Sequence, residues 1–341
     1  MIEFNDAGIN NLVLHRISAD PGKCFVSDEL YNYNNAEDID TLKKIFLKPF
    51  VAAASTYEFR NQIDLELNTL YKLSQAIFEG EDFLATSKNI HQHLKTVSKH
   101  PNIKDGDLFI IKYDDIQIKN KFYEGLGIYK IENKESFIET HSETGDMGLN
   151  FKKGISGRKL DKACLILFTE TPYTILIIDN SSTEADYWKN DFITVDYKND
   201  YINNTNQFLT MAKTFVTDQL PNEYEVSKTD QIDLLNRSVE YFKTRDTFVK
   251  TEFEDQVLQN PAMINSFRNF DGSYRQNNDM ELADSFEISA EAVKKQARVF
   301  KSVLKLDKNF HIYIHGSRDL IEQGTEPDGR KYYKIYYKEE Q

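Results

Sequence analysis

The sequence predicts an α+β fold: N-terminal helices with an antiparallel sheet, then a mainly helical region that ends in a short antiparallel meander. Apolar residues recur at helical spacing between about residues 39 and 100, and again after residue 200. Between about residues 107 and 179, and near the C-terminus, short apolar or alternating runs are separated by turn residues, as in antiparallel strands. The change of pattern predicts two domains, residues 1–198 and residues 199–341.

The composition is that of a folded protein with two cores. Of 341 residues, 40% are hydrophobic and 13% aromatic, which is enough for two domains. The apolar runs are far shorter than the roughly 20 residues that cross a bilayer, so we expect no membrane span. The first residues include acids and lack a basic-then-apolar signal, which indicates a cytoplasmic protein. Cys24 and Cys164 are expected to be reduced thiols.

Three helices are predicted in the first domain. The first ends near Pro49, and the second ends at Gly80, a typical C-terminal cap. Asp82 caps the third helix, which stops before Pro101. The residues assigned to the inner faces of these helices are Ile39, Leu42, Ile45, Phe46, Ile63, Leu67, Leu70, Ile77, Phe83, Ser87, Ile90, Leu94 and Val97.

A sheet is predicted after these helices, with turns such as residues 113–115 between its strands. Residues 141–159 interrupt it and contain four glycines, but neither the GxxxxGK[ST] nor the GxGxxG phosphate motif. We therefore expect an exposed flexible loop there, while its lysines and Arg158 leave contact with a polyanion open. The five predicted strands are residues 108–113, 116–121, 125–131, 164–168 and 173–178.

The second domain is predicted to be helical until its last part. Ser227 and Asp230 form a capping-box signature before one of these helices. The predicted helices cover residues 208–216, 228–242, 250–260 and about 289–298. The strand-like pieces that follow are residues 299–306, 310–316 and 330–338.

Charge is distributed unevenly along the chain. The formal net charge is -13, which disfavours a protein that coats nucleic acid with its whole surface. Between Ala292 and Arg318, however, seven basic residues stand against the single acid Asp307. Such a segment can bind phosphate, but a lysine-rich face is more often a solvated surface, so both interpretations stay open.

The strands near the C-terminus place lysine beside aromatic residues. In residues 310–316 the apolar Phe310, Ile312 and Ile314 alternate with polar side chains, and in residues 330–338 lysines are interleaved with tyrosines. A nucleic-acid surface uses this combination, and a solubilised edge strand has the same pattern. The predicted nucleic-acid-binding residues are Lys294, Lys295, Arg298, Lys301, Lys305, Lys308, Arg318, Lys331 and Lys334.

Metal binding and catalysis have little support in the sequence. His91 and His93 are two residues apart on a predicted helix, so they point in directions about 200° apart. His311 and His315 share a strand face but lie about 13 Å apart along it. Because common catalytic signatures such as GxSxG, HExxH and the Walker motif are missing, we expect no enzyme, no cofactor and no metal. A metal-dependent nuclease that uses acids such as Glu252 and Asp255 is a distant third hypothesis.

The stretch at residues 80–113 resembles the signature region of the bacterial nucleoid-associated protein family of the NdpA type. The resemblance rests on Glu81, Asp82, Phe83, Leu84, Ser87, His100, Pro101, Gly106 and the strand LFII. The stretch EADYWKNDFITV is loosely similar to another segment of that family. The resemblance implies association with the nucleoid and binding of double-stranded DNA without enzymatic chemistry. It supplies no contact residues, so the basic residues above rest on charge and alternation alone.

Two hypotheses follow. In the first, the C-terminal basic region binds the DNA backbone without strong sequence specificity, as a homodimer that doubles the positive surface. In the second, the acidic body docks on a basic, DNA-associated protein partner of the nucleoid rather than on DNA. Binding that weakens steeply with salt would favour the first hypothesis.

Overall fold

A computed structural model describes residues 2–33, 35–53, 55–99, 103–143, 146–180, 187–278, 280–298, 300, 303–314 and 320–339. The chain divides into two compact units, residues 1–198 and residues 199–341. Helices and antiparallel sheets are both present in quantity, which confirms the predicted α+β class. In the described part of the chain, none of the helices has the length and apolar character needed to cross a membrane.

The first unit is built on an antiparallel sheet of eight strands in the order β1-β4-β5-β8-β9-β3-β10, with β2 also paired to β4. Two further strands, β6 and β7, form a separate ribbon. The strands described in this unit are β1 (Ile2–Glu3), β2 (Gly8–Ile17), β3 (Tyr57–Phe59), β4 (Gly106–Ile118), β5 (Lys121–Ile131), β6 (Glu135–Glu143), β7 (Asp146–Gly154), β8 (Lys162–Leu167), β9 (Thr174–Asp179) and β10 (Val195–Tyr197).

The large sheet is buried on both faces, which explains its nearly continuous apolar strands. On one face Ile110 and Ile128 pack in a cluster with Ile90 and Leu94 of a helix. The other face carries a second cluster that includes Tyr129, fully buried under residues of the first helix and the turn after it. The helices of this unit are α1 (Ala36–Phe46), α2 (Thr69–Phe78) and α3 (Phe83–Val97).

The predicted turn at residues 113–115 is wrong. Strand β4 runs through this position, and its register with β5 shifts between Tyr113 and Ile116. Asp115 adopts a φ of 51°, in the left-handed region that an aspartate tolerates. The two aspartates therefore form a β-bulge, which bends a strand without reversing it.

The predicted inner face of α2 is wrong at its start. Ile63 and Leu67 are exposed, because the chain forms a 3-10 turn at Leu65–Leu67 and the helix begins only at Thr69. The side chain of Asn68 accepts a hydrogen bond from Tyr71 N and so fixes the helix start. The third helix begins as predicted, since Asp82 accepts from Ala85 N at 2.7 Å.

Residues 141–159 were predicted to be a flexible loop, and this prediction is wrong. Strands β6 and β7 occupy much of this stretch and pair with each other from Glu135 opposite Gly154 to Glu143 opposite Asp146. The prediction of a loop rested on the glycines, whereas the alternation of Met147, Leu149 and Phe151 with polar residues is typical of a strand. Gly145 lies outside the described residues.

The second unit is mainly helical around an aromatic core. Phe208 and Phe248 have ring centroids 4.2 Å apart, and Phe242 stacks on Phe248 at 5.3 Å. The predicted capping box of Ser227 and Asp230 is present in both directions. The helices are α4 (Tyr201–Thr214), α5 (Leu220–Glu223), α6 (Lys228–Lys243), α7 (Lys250–Phe253), α8 (Pro261–Asn277) and α9 (Ala290–Ala297). Short π-helical segments extend α4 as Phe215–Gln219 and α7 as Glu254–Leu258.

Helix α8 has no counterpart in the prediction. Pro261 was interpreted as the stop of the preceding helix, but it occupies the first turn of a new helix, where its missing N–H costs nothing. Gln259 has a φ of 61°, which ends the preceding helix. The side chain of Asn260 then caps α8 by accepting a hydrogen bond from Ala262 N at 2.8 Å.

Three hairpins complete the second unit. The last two contribute Leu304, Ile312, Ile321 and Tyr333 to a small cluster around Ile232 of α6. The pairs are β11 (Thr247–Val249) with β12 (Ser285–Glu287), β13 (Val303–Leu306) with β14 (Phe310–Tyr313), and β15 (Ile321–Thr325) with β16 (Lys331–Ile335).

Candidate nucleic-acid interface

Helix α9 presents three of the predicted cations on one exposed face. Ser289 caps the helix by accepting from Ala292 N at 3.3 Å. Ala292 and Val293 are buried, and the helical period then turns the side chains of Lys294, Lys295 and Arg298 outward, where all three are exposed. We call these three residues the α9 cations. Lysines in the last turn also complement the negative end of the helix dipole.

The α9 cations stand on a firmly held helix. Ser289 N donates to Thr205 Oγ1 at 3.1 Å, and Gln296 Nε2 donates to Asn206 Oδ1 at 3.2 Å, so α4 anchors both ends. Desolvation lowers the pKa of Lys295 from its ordinary value. Because the helix that carries these charges is already ordered, less conformational entropy is lost when an anion binds to them.

The hairpin of β13 and β14 carries two more of the predicted residues. Lys305 lies directly opposite His311, on the face away from the apolar cluster that holds Leu304 and Ile312. Lys308 is exposed in the turn between the strands. The predicted alternation is confirmed for Ile312, which packs in the cluster, whereas Phe310 on the same face is 61% exposed. Lys305 and His311 lie on the polar face.

In the last hairpin the two predicted lysines lie on opposite faces, because they are three residues apart in β16. Lys334 is opposite Glu322, with its Nζ 3.7 Å from the carboxylate and 4.8 Å from the Tyr336 ring centroid. Hydrogen bonding to Tyr336 and the charge of Glu322 raise the pKa of Lys334. Lys331 is exposed opposite Thr325. Of the two, Lys331 is therefore the better placed for a phosphate.

The described basic residues thus fall into three local groups, one on α9 and one on each of the last two hairpins. The α9 cations share a face, and Lys305 shares a face with His311, whereas Lys331 and Lys334 do not face the same way. The predicted residues that lie outside the described part of the chain are Lys301, Arg318, His315, His100 and Pro101.

A cluster of buried charges in the first unit was not predicted. Lys130 and Lys162 are paired across β5 and β8, both fully buried, and both Nζ atoms lie near the Tyr187 ring, at 5.7 and 5.0 Å from its centroid. Lys130 Nζ donates to Lys104 O at 2.6 Å, Glu132 Oε1 at 2.8 Å and Tyr187 Oη at 3.1 Å. Burial lowers the pKa of Lys130 and raises that of Tyr187.

The three donors of the Lys130 ammonium match its three partners, so this lysine has no donor left for a ligand. Lys162 Nζ is held by both oxygens of Asp179, at 2.8 and 2.9 Å. The cluster therefore serves the structure of the sheet. Its only sequence signal is a lysine inside an apolar strand, and the pairing partner comes from a distant segment.

A second unpredicted cluster joins β2, α3 and the segment after β2. Ser27 N donates to His15 Nδ1 at 3.1 Å, which leaves Nε2 to donate to Ser87 Oγ at 3.1 Å. His91 Nε2 donates to Arg16 O at 3.1 Å and lies 3.5 Å from Cys24 Sγ. Burial lowers the pKa of His15 to about 4 and also lowers that of His91. In the described residues no group of three or more His, Cys, Asp or Glu could hold a metal ion.

The stretch that resembles the NdpA-type family is thus mostly structural. Asp82 caps α3, Phe83 is buried in the core, and Ser87 links the helix to His15. At Gly106 a Cβ would lie 2.9 Å from Lys130 Cγ and 3.0 Å from Ile131 O, which favours glycine. Phe83, Ser87 and Gly106 are buried, and the exposed Asp82 carries a negative charge, so these residues do not favour contact with DNA.

Comparison with known proteins identifies the family. No curated protein matches the chain. A family model for the nucleoid-associated protein YejK, NA37, matches residues 13–330, which is most of the 341 residues. The chain therefore belongs to the family of the nucleoid-associated protein YejK.

Proposed function

We propose that this protein binds double-stranded DNA in the nucleoid through phosphate contacts, without strong sequence specificity and without catalysis. The proposal is supported most by the α9 cations, three exposed charges on one face of a helix in a chain of this family. Lys305, Lys308 and Lys331 extend the proposed contact region. The protein is proposed to be cytoplasmic and to act as a homodimer.

Most of the chain outside the proposed contact region is acidic, which restricts where DNA can bind. Residues 1–198 carry 31 acidic and 23 basic side chains, so this unit repels a polyanion on average. Residues 199–341 are also net acidic, with 24 acidic and 19 basic side chains. DNA would therefore approach the segment 292–318, where seven basic residues stand against one acid. The binding is expected to be moderate in strength, because only a few phosphates are neutralised.

Salt dependence tests the contact directly. For each protomer that engages the duplex, three phosphates neutralised by the α9 cations give a slope of log K against log[salt] of about -2.7 for B-DNA. Between 50 and 200 mM salt the affinity then falls by about fortyfold. Each further lysine that engages a phosphate steepens the slope by about 0.9.

The experiment is fluorescence anisotropy of a generic labelled duplex at several salt concentrations. The variant Lys294→Gln/Lys295→Gln/Arg298→Gln is expected to lose most of the affinity and most of the slope. The matched control Lys44→Gln/Lys48→Gln/Lys72→Gln removes three exposed charges of the first unit and should leave binding nearly unchanged. Equal losses in both variants would refute a specific role for α9.

The second candidate function is docking of the acidic body on a basic partner of the nucleoid. The net charge of -13 and the pairing of Lys334 with Glu322 favour it. In that case the wild type binds no duplex even at 50 mM salt, and a cationic protein of the nucleoid binds tightly instead. Intact supercoiled plasmid after incubation with Mg²⁺ would agree with the non-enzymatic proposal, and nicking would revive the nuclease hypothesis.

A further inference from the structure

The ribbon of β6 and β7 stands apart from the large sheet. Within the described residues its strands pair only with each other, although the chain enters from β5 and leaves to β8, which are neighbours in the sheet. A two-stranded ribbon alone in water is marginally stable at best. The ribbon therefore needs another surface to gain stability.

One face of the ribbon is apolar and exposed. The register places Ile138 opposite Phe151, Thr140 opposite Leu149 and Ser142 opposite Met147, all on this face. Ile138 is 55% exposed, Met147 74%, Leu149 58% and Phe151 78%. None of these four side chains belongs to a core cluster of the described residues. We call them the ribbon's apolar face.

The opposite face is mostly polar, although it also carries Phe137, which is 48% exposed. Glu139 and Lys152 form an ion pair and a hydrogen bond across the strands, which lowers the pKa of Glu139. The Phe137 ring lies over Gly154, where a Cβ would be 2.8 Å from it, and His141 covers Gly148 in the same way. The ribbon is thus an amphipathic element with one unpartnered face.

We propose that the ribbon's apolar face packs on the same face of a second copy of the chain around a two-fold axis. This inference names the interface of the proposed homodimer, and it stands whether or not the dimer binds DNA. A two-fold contact uses one surface twice, so a single apolar stripe is sufficient for both partners.

The area available reaches the lower limit of specific protein interfaces if the four residues become fully buried. From their exposed fractions, the four side chains offer about 500 Å² on one copy, comparable with the largest apolar patches on monomers, which often mark interaction sites. Two copies would bury about 1,000 Å² in total, which is the size at which specific protein interfaces begin. Adjacent polar residues at the rim would add to this area.

Charge favours a second copy of the chain over DNA as the occupant of this face. The four side chains of the ribbon's apolar face are uncharged, and residues 135–154 contain four acids against two lysines, so the ribbon does not attract a polyanion.

The mass of the full chain in solution, measured by sedimentation velocity without DNA, tests the interface. The wild type is expected at about twice 39.7 kDa at micromolar concentration. Phe151→Glu should weaken dimerisation about thirtyfold or more, as loss of a central apolar contact does. The matched control Asn150→Glu adds the same charge one residue away on the polar face and should keep the dimer.

Several outcomes would overturn the inference. A monomeric wild type at about 50 μM would do so, as would an equal effect of Phe151→Glu and Asn150→Glu. A Phe151→Glu variant that stays dimeric but loses duplex affinity would assign the face to DNA instead. Since mass is measured without DNA, failure of the interface is distinguishable from failure of the proposed DNA binding.

Discussion

The buried pair of Lys130 and Glu132 makes a quantitative prediction about the first unit. Both side chains are almost inaccessible to water, at 0% and 3% exposure, and their charged atoms are 2.8 Å apart. Removal of one partner leaves the other charge buried and unpaired, which typically costs 3–5 kcal/mol. Removal of both with apolar or neutral groups of similar size costs much less.

We therefore expect Glu132→Gln and Lys130→Met each to lower the free energy of unfolding by about 3 kcal/mol. The double variant should lose less than the sum of the two, with a coupling energy of about 2 kcal/mol. Part of the Lys130 cost remains in the double variant, because Lys104 O and Tyr187 Oη also lose their donor.

The assay is urea unfolding followed by tryptophan fluorescence. The chain has one tryptophan, Trp188, which is fully buried in the first unit and donates to Ala163 O, so its emission reports unfolding of this unit alone. As a control, Lys152→Met breaks an exposed ion pair with Glu139 and should leave the stability nearly unchanged, because solvent screens this pair. Additive losses in the double variant, or single losses as small as the control's, would refute the reasoning.

Two further predictions use the same fluorescence assay. Burial lowers the pKa of His15 from 6.5 to about 4, so the folded state resists its protonation. Up to about 3 kcal/mol of stability should therefore be lost as the pH falls from 6.5 to 4. His15→Gln should reduce this loss, and an unchanged pH profile of stability in the variant would contradict the assignment. Asn68→Ala should cost about 2 kcal/mol, because the side chain caps α2 and also donates to Arg60 O, Ile193 O and Thr194 O. Asn68→Asp keeps the cap but turns an oxygen toward these carbonyls, so it should be no better than alanine, and wild-type stability would contradict this account.

Local signals in the sequence were enough for the helices with clear caps. Asp82 begins α3 and the box of Ser227 and Asp230 begins α6, because the capping atoms and the apolar stripe lie within a few residues of each other. The prediction failed where one residue has two possible roles. Pro261 can end one helix or begin the next, and the choice depends on the cap that Asn260 provides.

Other features depend on contacts between distant segments, which a single sequence does not display. Strand β2 has no counterpart among the predicted strands, since it carries polar residues and is fixed by pairing with β4 about a hundred residues later. The ion pairs of Lys130 and Lys162 depend likewise on the register between β5 and β8. The α9 cations were found because charge and helical period are local properties.

The two proposals meet in one measurable quantity, the salt slope of duplex binding. A dimer that engages both sets of α9 cations on one duplex neutralises six phosphates, which predicts a slope of about -5.4, against about -2.7 for a monomer. We therefore expect Phe151→Glu, which leaves the α9 cations intact, to halve the slope and to weaken binding most at low salt. Asn150→Glu should keep the steeper slope. If Phe151→Glu is monomeric and its slope equals that of the wild type, the two α9 faces do not reach the same duplex, and the dimer serves to join separate DNA segments instead.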